Sequence, residues 1–167
     1  MSLAFLGFLP FEPVIAVLAI PGGAALLLAL LPGYRLTASI NVLATLSTLL
    51  AALTLLVARP ERGGYLFVDD LNVVFVVLGT FVGFTTSAFS ASYIGHEIEI
   101  GRLTPANLRF YHAMYQALMF AMNLALLANN IGLMWVAIEL ATLTTVLMVG
   151  IYRTHEALEA AWKYFIL

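Results

Sequence analysis

Glu139 lies in the middle of an apolar run that extends from Ile131 to Tyr152. A carboxylate at the centre of a membrane helix costs about 2.5–3.5 kcal/mol on insertion scales, so it marks a functional site whose partner has to be found. The candidate partner is Lys163, in the string Ala160-Ala-Trp-Lys-Tyr-Phe-Ile-Leu167. Two such groups in a medium of low dielectric can hold or pass a proton. A third charge moving near Lys163 would release or trap the proton on Glu139, which is what proton translocation needs.

The two residues flank a turn at Arg153. Fourteen residues lead back to Glu139 and ten lead on to Lys163, about 21 Å and about 15 Å of helix. A short turn makes the two helices antiparallel, so both side chains lie within about 6 Å of one depth. That allows a direct pair, or one bridged by water or a hydroxyl. Blander readings stand beside it. Glu139 could serve only to tie two helices together. Glu159 precedes Lys163 by four residues and Glu156 by seven, on the same helix face, and Glu159→Lys163 is the favourable order for an intrahelical pair.

These groups need a membrane to act across, and the composition provides for one. Of 167 residues, 63% are hydrophobic and 10% are charged, against about 25% charged in soluble domains; mean hydropathy is +1.03. Such a chain cannot cover a water-facing surface. The lipid bilayer is therefore an expected partner, and the absence of basic tracts argues against nucleic acid. With no cysteine, thiol catalysis and Cys-ligated metals are excluded. His96, His112 and His155 fall in different segments, so no metal site is expected. No phosphate loop or nucleophile elbow appears, and no catalytic residue or cofactor is assigned to the chain. The first basic residue is Arg35, so the N-terminal apolar run does not read as a signal peptide.

Apolar runs predict an all-α, polytopic transmembrane bundle: helices at about 13–32, 37–58, 70–94, 110–128 and 131–152, and the start of a sixth over 154–167. Pro13 suits a first turn, Pro32-Gly33 closes the first helix, and Pro21-Gly22-Gly23 predicts a kink inside it. The sixth run is too short to cross a hydrocarbon core about 30 Å thick. The expectation is a fragment of a longer protein, the alternative being completion of the bundle by another chain. Arg35, Arg102, Arg109 and Arg153 fall at one end of the helices and Arg59 and Arg62 at the other, which favours an outside N-terminus. The stretch 95–109 reads as the longest polar connection.

Polar stripes mark inward faces. His112, Gln116, Met119, Asn123 and Asn130 share one angular position on the fourth helix. They are read either as a hydrated proton path, with His112 near its cytoplasmic side, or as interhelical hydrogen bonding worth about 0.6 kcal/mol per contact. Asn41, Thr45, Thr48 and Ala52 on the second helix, and Gly79 with Gly83 on the third, read as packing surfaces. Asp69 and Asp70 read as interfacial. Thr142 and Thr145 could bond the Glu139 carboxylate or their own helix. Trp135 and Trp162 read as interface anchors or packing.

Tyr93-Ile-Gly-His-Glu97, Leu108-Arg-Phe-Tyr111, Trp135-Val-Ala-Ile-Glu139 and Leu158-Glu-Ala-Ala-Trp-Lys163-Tyr-Phe-Ile-Leu167 resemble the antiporter-like proton-translocating subunits. That superfamily includes large membrane subunits of respiratory complex I, Mrp-type Na⁺/H⁺ antiporter subunits and the membrane arm of group 4 hydrogenases. The last two strings look most like the component F type of hydrogenase-4 and formate hydrogenlyase. The likeness is strongest over about 90–167. It implies about fourteen helices in two inverted repeats for a full-length member, with the helix-five glutamate at Glu139 and the helix-six lysine at Lys163. Further lysines and histidines of the family have no counterpart in these residues. The resemblance implies a proton-translocating (or Na⁺-translocating) subunit in a bacterial or archaeal cytoplasmic membrane, with other membrane subunits as partners and no redox centre of its own. An Mrp-type antiporter subunit and a structural subunit with a helix-orienting ion pair are the alternatives.

Overall fold

In a computed structural model, residues 12–31, 34–57 and 63–166 are described. The chain is an all-α bundle: α1 (Pro13–Leu30), α2 (Tyr34–Thr54), α3 (Asp70–Glu99), α4 (Pro105–Leu127), α5 (Ile131–Val149), a 3₁₀ turn (Gly150–Tyr152) and α6 (His155–Ile166). Among the described residues α1, α2, α3 and α5 with its 3₁₀ extension are long and apolar enough to cross a membrane. At 23 residues α4 has the length, about 35 Å, but its polar stripe lowers its apolarity. It is sheltered instead, packing against α1, α2, α3 and α5, while α6 packs on α5.

Local chemistry sets the helix ends. Leu31 is extended, as a residue before proline is pushed to be, so α1 stops at Leu30. Asp69 begins α3 with a reciprocal box: its carboxylate accepts from the Asn72 amide at 2.7 Å, and the Asp69 amide donates to Asn72 Oδ1 at 2.8 Å. Asp69 is thus a helix cap rather than merely interfacial. Thr104 caps α4 ahead of Pro105, Asn130 caps α5, and Thr154 accepts from the Ala157 amide at 3.2 Å ahead of α6.

Several expected boundaries move. α2 starts at Tyr34 because the exposed Arg35 reaches out from a helix end and does not break it. α3 runs to Glu99 and α4 starts at Pro105, so the expected 95–109 loop shrinks to Ile100–Thr104. Gly101, at φ 76°, makes the turn there. α1 is one continuous helix through Pro21, and Gly22 lets the Phe120 ring of α4 approach: a Cβ there would stand 3.3 Å from it. Pro32-Gly33, Arg59, Glu61, Arg62 and Leu167, which carried parts of the expected helix ends and loop charges, lie outside the described residues.

Two sets of contacts fix the ends of the bundle. At one end the segment before α3 pairs with the α4–α5 turn: the Phe67 amide donates to Leu127 O and the Asn129 amide to Tyr65 O, both at 2.8 Å. An apolar cluster of Val14, Val17, Ala52, Leu55, Val73, Val76 and Leu127 lies beneath it. At the other end Ile94, Leu103 and Ile151 pack together, and Asn107 Nδ2 reaches Ile151 O at 3.4 Å. Between these caps the interior becomes polar. The buried face of α3 runs Val73, Val76, Thr80, Gly83, Ser87, Ser90, Ile94, Glu97, an alternation of threes and fours that makes a heptad seam. Its apolar half faces the first cluster and its small and polar half faces α2 and α4.

Candidate functional site

Glu139 stands on α5 between the buried positions Ala137 and Thr144, and its own side chain is exposed, alongside Trp135, Ile138 and Leu143. α5 turns its small residues to the bundle and its acid outward. Thr142 bonds Ile138 O at 3.0 Å and Thr145 bonds Ala141 O at 2.9 Å, so both hydroxyls bond their own helix and neither bonds the carboxylate.

Lys163 is exposed on α6, with Nζ 2.6 Å from Glu159 Oε1. Of the two partners open to it, the intrahelical one holds it here. The i, i+4 spacing brings the groups together with no cost in helix placement, whereas Glu139 belongs to another helix. Arg153, between them, adopts φ 53° and ψ 22°, a left-handed conformation that gives the α5–α6 reversal its sharpness.

His112, unlike Glu139 and Lys163, is fully buried, with its ring edge-on to Tyr111 at 5.5 Å and no hydrogen-bond partner for either nitrogen among the described residues. One turn further along α4, Gln116 Nε2 donates to Asn41 Oδ1 at 2.8 Å and to Asn41 O at 3.1 Å. Thr45 Oγ1 and Ser87 Oγ are 2.6 Å apart, Tyr111 OH and Ser90 Oγ are 3.1 Å apart, and Tyr115 OH donates to Gly83 O at 2.6 Å. The stripes on α2 and α4 therefore meet, and α3 joins them through its seam. The Gly83 half of the expected glycine pair makes a close contact, since a Cβ there would collide with the Met119 thioether; Gly79 has open space.

Glu97, which falls in the stretch expected to be loop, belongs to α3. It is 4% exposed, with Oε1 3.7 Å from the guanidinium of exposed Arg102. The Tyr152 hydroxyl faces both Glu97 and Tyr93. The signal was present in the spacing of Ser87, Ser90, Ile94 and Glu97, which continues one face of α3 past the point where polarity suggests a loop.

Over 152 residues, 91% of its length, the chain is 57% identical to the hydrogenase-4 component F homolog of Methylacidiphilum infernorum (isolate V4). The chain is related to hydrogenase-4 component F. It spans 32% of that relative's length. No family model and no solved structure matches it. The relationship to hydrogenase-4 component F and the long apolar helices agree on a multi-pass membrane protein. They also account for the many large apolar side chains on the outside of the bundle, such as Leu26, Leu30, Phe89 and Ile131, which lipid or other membrane helices can cover.

Proposed function

We propose that the chain is part of a proton-translocating membrane subunit of a redox-driven complex of the hydrogenase type. It sits in the cytoplasmic membrane with its N-terminus outside, and its partners are other membrane subunits of that complex. The observation that carries this reading is Glu139: an outward-facing carboxylate half-way along an apolar helix, in a chain related to a hydrogenase component. Left against lipid, such a group costs several kilocalories per mole, about 2.5–3.5 kcal/mol on insertion scales. It is tolerable where neighbouring protein or water gives it a proton or a counter-charge. Glu139 is the proton-carrying group, Lys163 on the adjoining helix modulates it, and His112 serves as a relay. Electrons are handled by partner subunits, since the chain has no cysteine to hold an iron–sulfur centre. The orientation is supported by Arg35, Arg102, Arg109 and Arg153, all at the end shared by the α1–α2, α3–α4 and α5–α6 connections.

The test is Glu139→Gln in the intact complex, reconstituted into vesicles. Proton transport should fall at least tenfold while assembly is kept. A second reading has its own observation. The Lys163–Glu159 pair at 2.6 Å suits a lysine that only steadies α6. In that case Lys163→Gln would lower stability slightly and leave transport at the wild-type rate.

A further inference from the structure

A second set of ionisable and hydrogen-bonding groups lies away from the exposed face of Glu139. It begins at the arginine-rich end of the bundle with Glu97, whose buried carboxylate faces Tyr152 and lies 3.7 Å from the guanidinium of exposed Arg102. Two heptad positions inward on the same face of α3 is Ser90, about 10 Å along the axis and 3.1 Å from Tyr111 OH. The Tyr111 ring abuts His112. Beyond His112 come the Gln116–Asn41 amide pair and the Thr45–Ser87 hydroxyl pair.

A seam that serves only to hold helices together satisfies its polar atoms, because each one stranded costs about 1–3 kcal/mol. Here Asn41 Nδ2, His112 Nδ1, His112 Nε2, Gln116 Oε1 and Asn123 Nδ2 are all buried without a partner among the described residues. Their kinds identify what fits them. The amide nitrogens donate, the glutamine oxygen accepts, and a neutral imidazole does one of each. A metal cation requires a shell of oxygen acceptors, and this donor-rich set does not supply one. Water, donor and acceptor at once, does fit.

We propose that Glu97 and His112 form a second proton-holding site, filled from the arginine-rich end of the bundle through water and the Ser90 and Tyr111 hydroxyls, and separate from Glu139. The inference rests on the reading of the chain as proton-translocating. A proton from water near Arg102 is taken up by the Glu97 carboxylate. Each water or hydroxyl on the way inward releases the proton it holds as it accepts the next. The proton arrives at an imidazole nitrogen of His112, giving an imidazolium and leaving Glu97 ionised beside Arg102; the next transfer follows once the imidazolium has given its proton to water beside the Gln116–Asn41 pair.

The experiment uses the intact membrane complex containing the full chain, reconstituted in vesicles, with protons moved measured per electron transferred. Glu97→Gln and His112→Leu should each cut that ratio at least tenfold, and Tyr111→Phe several-fold. Glu97→Asp should restore transport, which a residue needed only for folding would not require of its charge. Full transport in both Glu97→Gln and His112→Leu, with Glu139→Gln still blocked, overturns the second site and the relay role of His112 and leaves Glu139 as the proton carrier. Absence of transport by the unaltered complex overturns that function and this site with it. Should Glu97→Gln fail to assemble, Tyr111→Phe decides, since it removes one oxygen from an otherwise unchanged ring: full transport there refutes the path.

Discussion

Replacing Gln116 by leucine isolates the contact that ties α2 to α4. In the native chain Gln116 Nε2 donates to Asn41 Oδ1 at 2.8 Å and Asn41 O at 3.1 Å, and both residues are fully buried. Gln116→Leu strands the Asn41 side-chain oxygen beside a side-chain nitrogen that already lacks a partner. Stranding a buried polar group costs about 1–3 kcal/mol, whereas interhelical hydrogen bonds in membranes average about 0.6 and reach about 1.7 kcal/mol. The expected loss is therefore about 1–2 kcal/mol, and Asn41→Leu should cost about the same. The double variant removes the remaining amide with its stranded atoms, and replacing both partners by apolar groups is nearly neutral. It should cost less than the sum of the single variants, by about 1 kcal/mol of coupling. The assay is equilibrium unfolding of the purified full chain in mixed micelles by added SDS, followed by the fluorescence of Trp135 and Trp162, both well outside the core. Additive single effects, within about 0.3–0.5 kcal/mol, would refute the idea that the two polar stripes meet and hold each other.

Other perturbations test neighbouring parts of the fold. Asp69→Ala removes the reciprocal cap of α3 and should lower stability by about 1 kcal/mol in the same unfolding assay. Gly83→Val drives a branched side chain into the Met119 thioether and should cost about 1–3 kcal/mol; Gly79→Val, in open space, should cost clearly less. Arg153→Gly relieves a left-handed backbone at φ 53° and should raise stability by up to about 1 kcal/mol; a loss instead would mean that the arginine side chain holds the turn.

Much of the bundle was legible because membrane helices announce themselves by apolar length. The caps were not: Asp69 read as interfacial and Asn130 as part of the fourth-helix stripe, yet they cap α3 and α5. Polarity misled where it was taken for exposure. The segment from Gly95 to Glu99 carries a histidine and two glutamates, so it read as loop, yet it completes α3 and buries Glu97. The start of α4 failed for a related reason: Asn107 and Arg109 hid a helix that Thr104-Pro105 already signals. Around the candidate site the residue types were readable and the facing was not. A carboxylate within an apolar run shows that a group needs a partner, but whether α5 turns it to α4, to α6 or outward depends on which face holds Ala137 and Thr144. The choice of Lys163 between Glu159 and Glu139 was open for the same reason. Spacing allowed both pairs, and only the placement of α6 could decide. The meeting of the α2 and α4 stripes was hidden because each, taken alone, looks like a packing surface.

Proton transport by Glu139→Gln in the intact, reconstituted complex, measured with a vesicle-trapped pH dye under steady redox turnover, is the most direct measurement. Transport reduced at least tenfold in a complex that still assembles and still turns over electrons is the expected result. Transport at the unaltered rate in that variant would contradict a proton-carrying role for Glu139 and leave the outward carboxylate as a structural group.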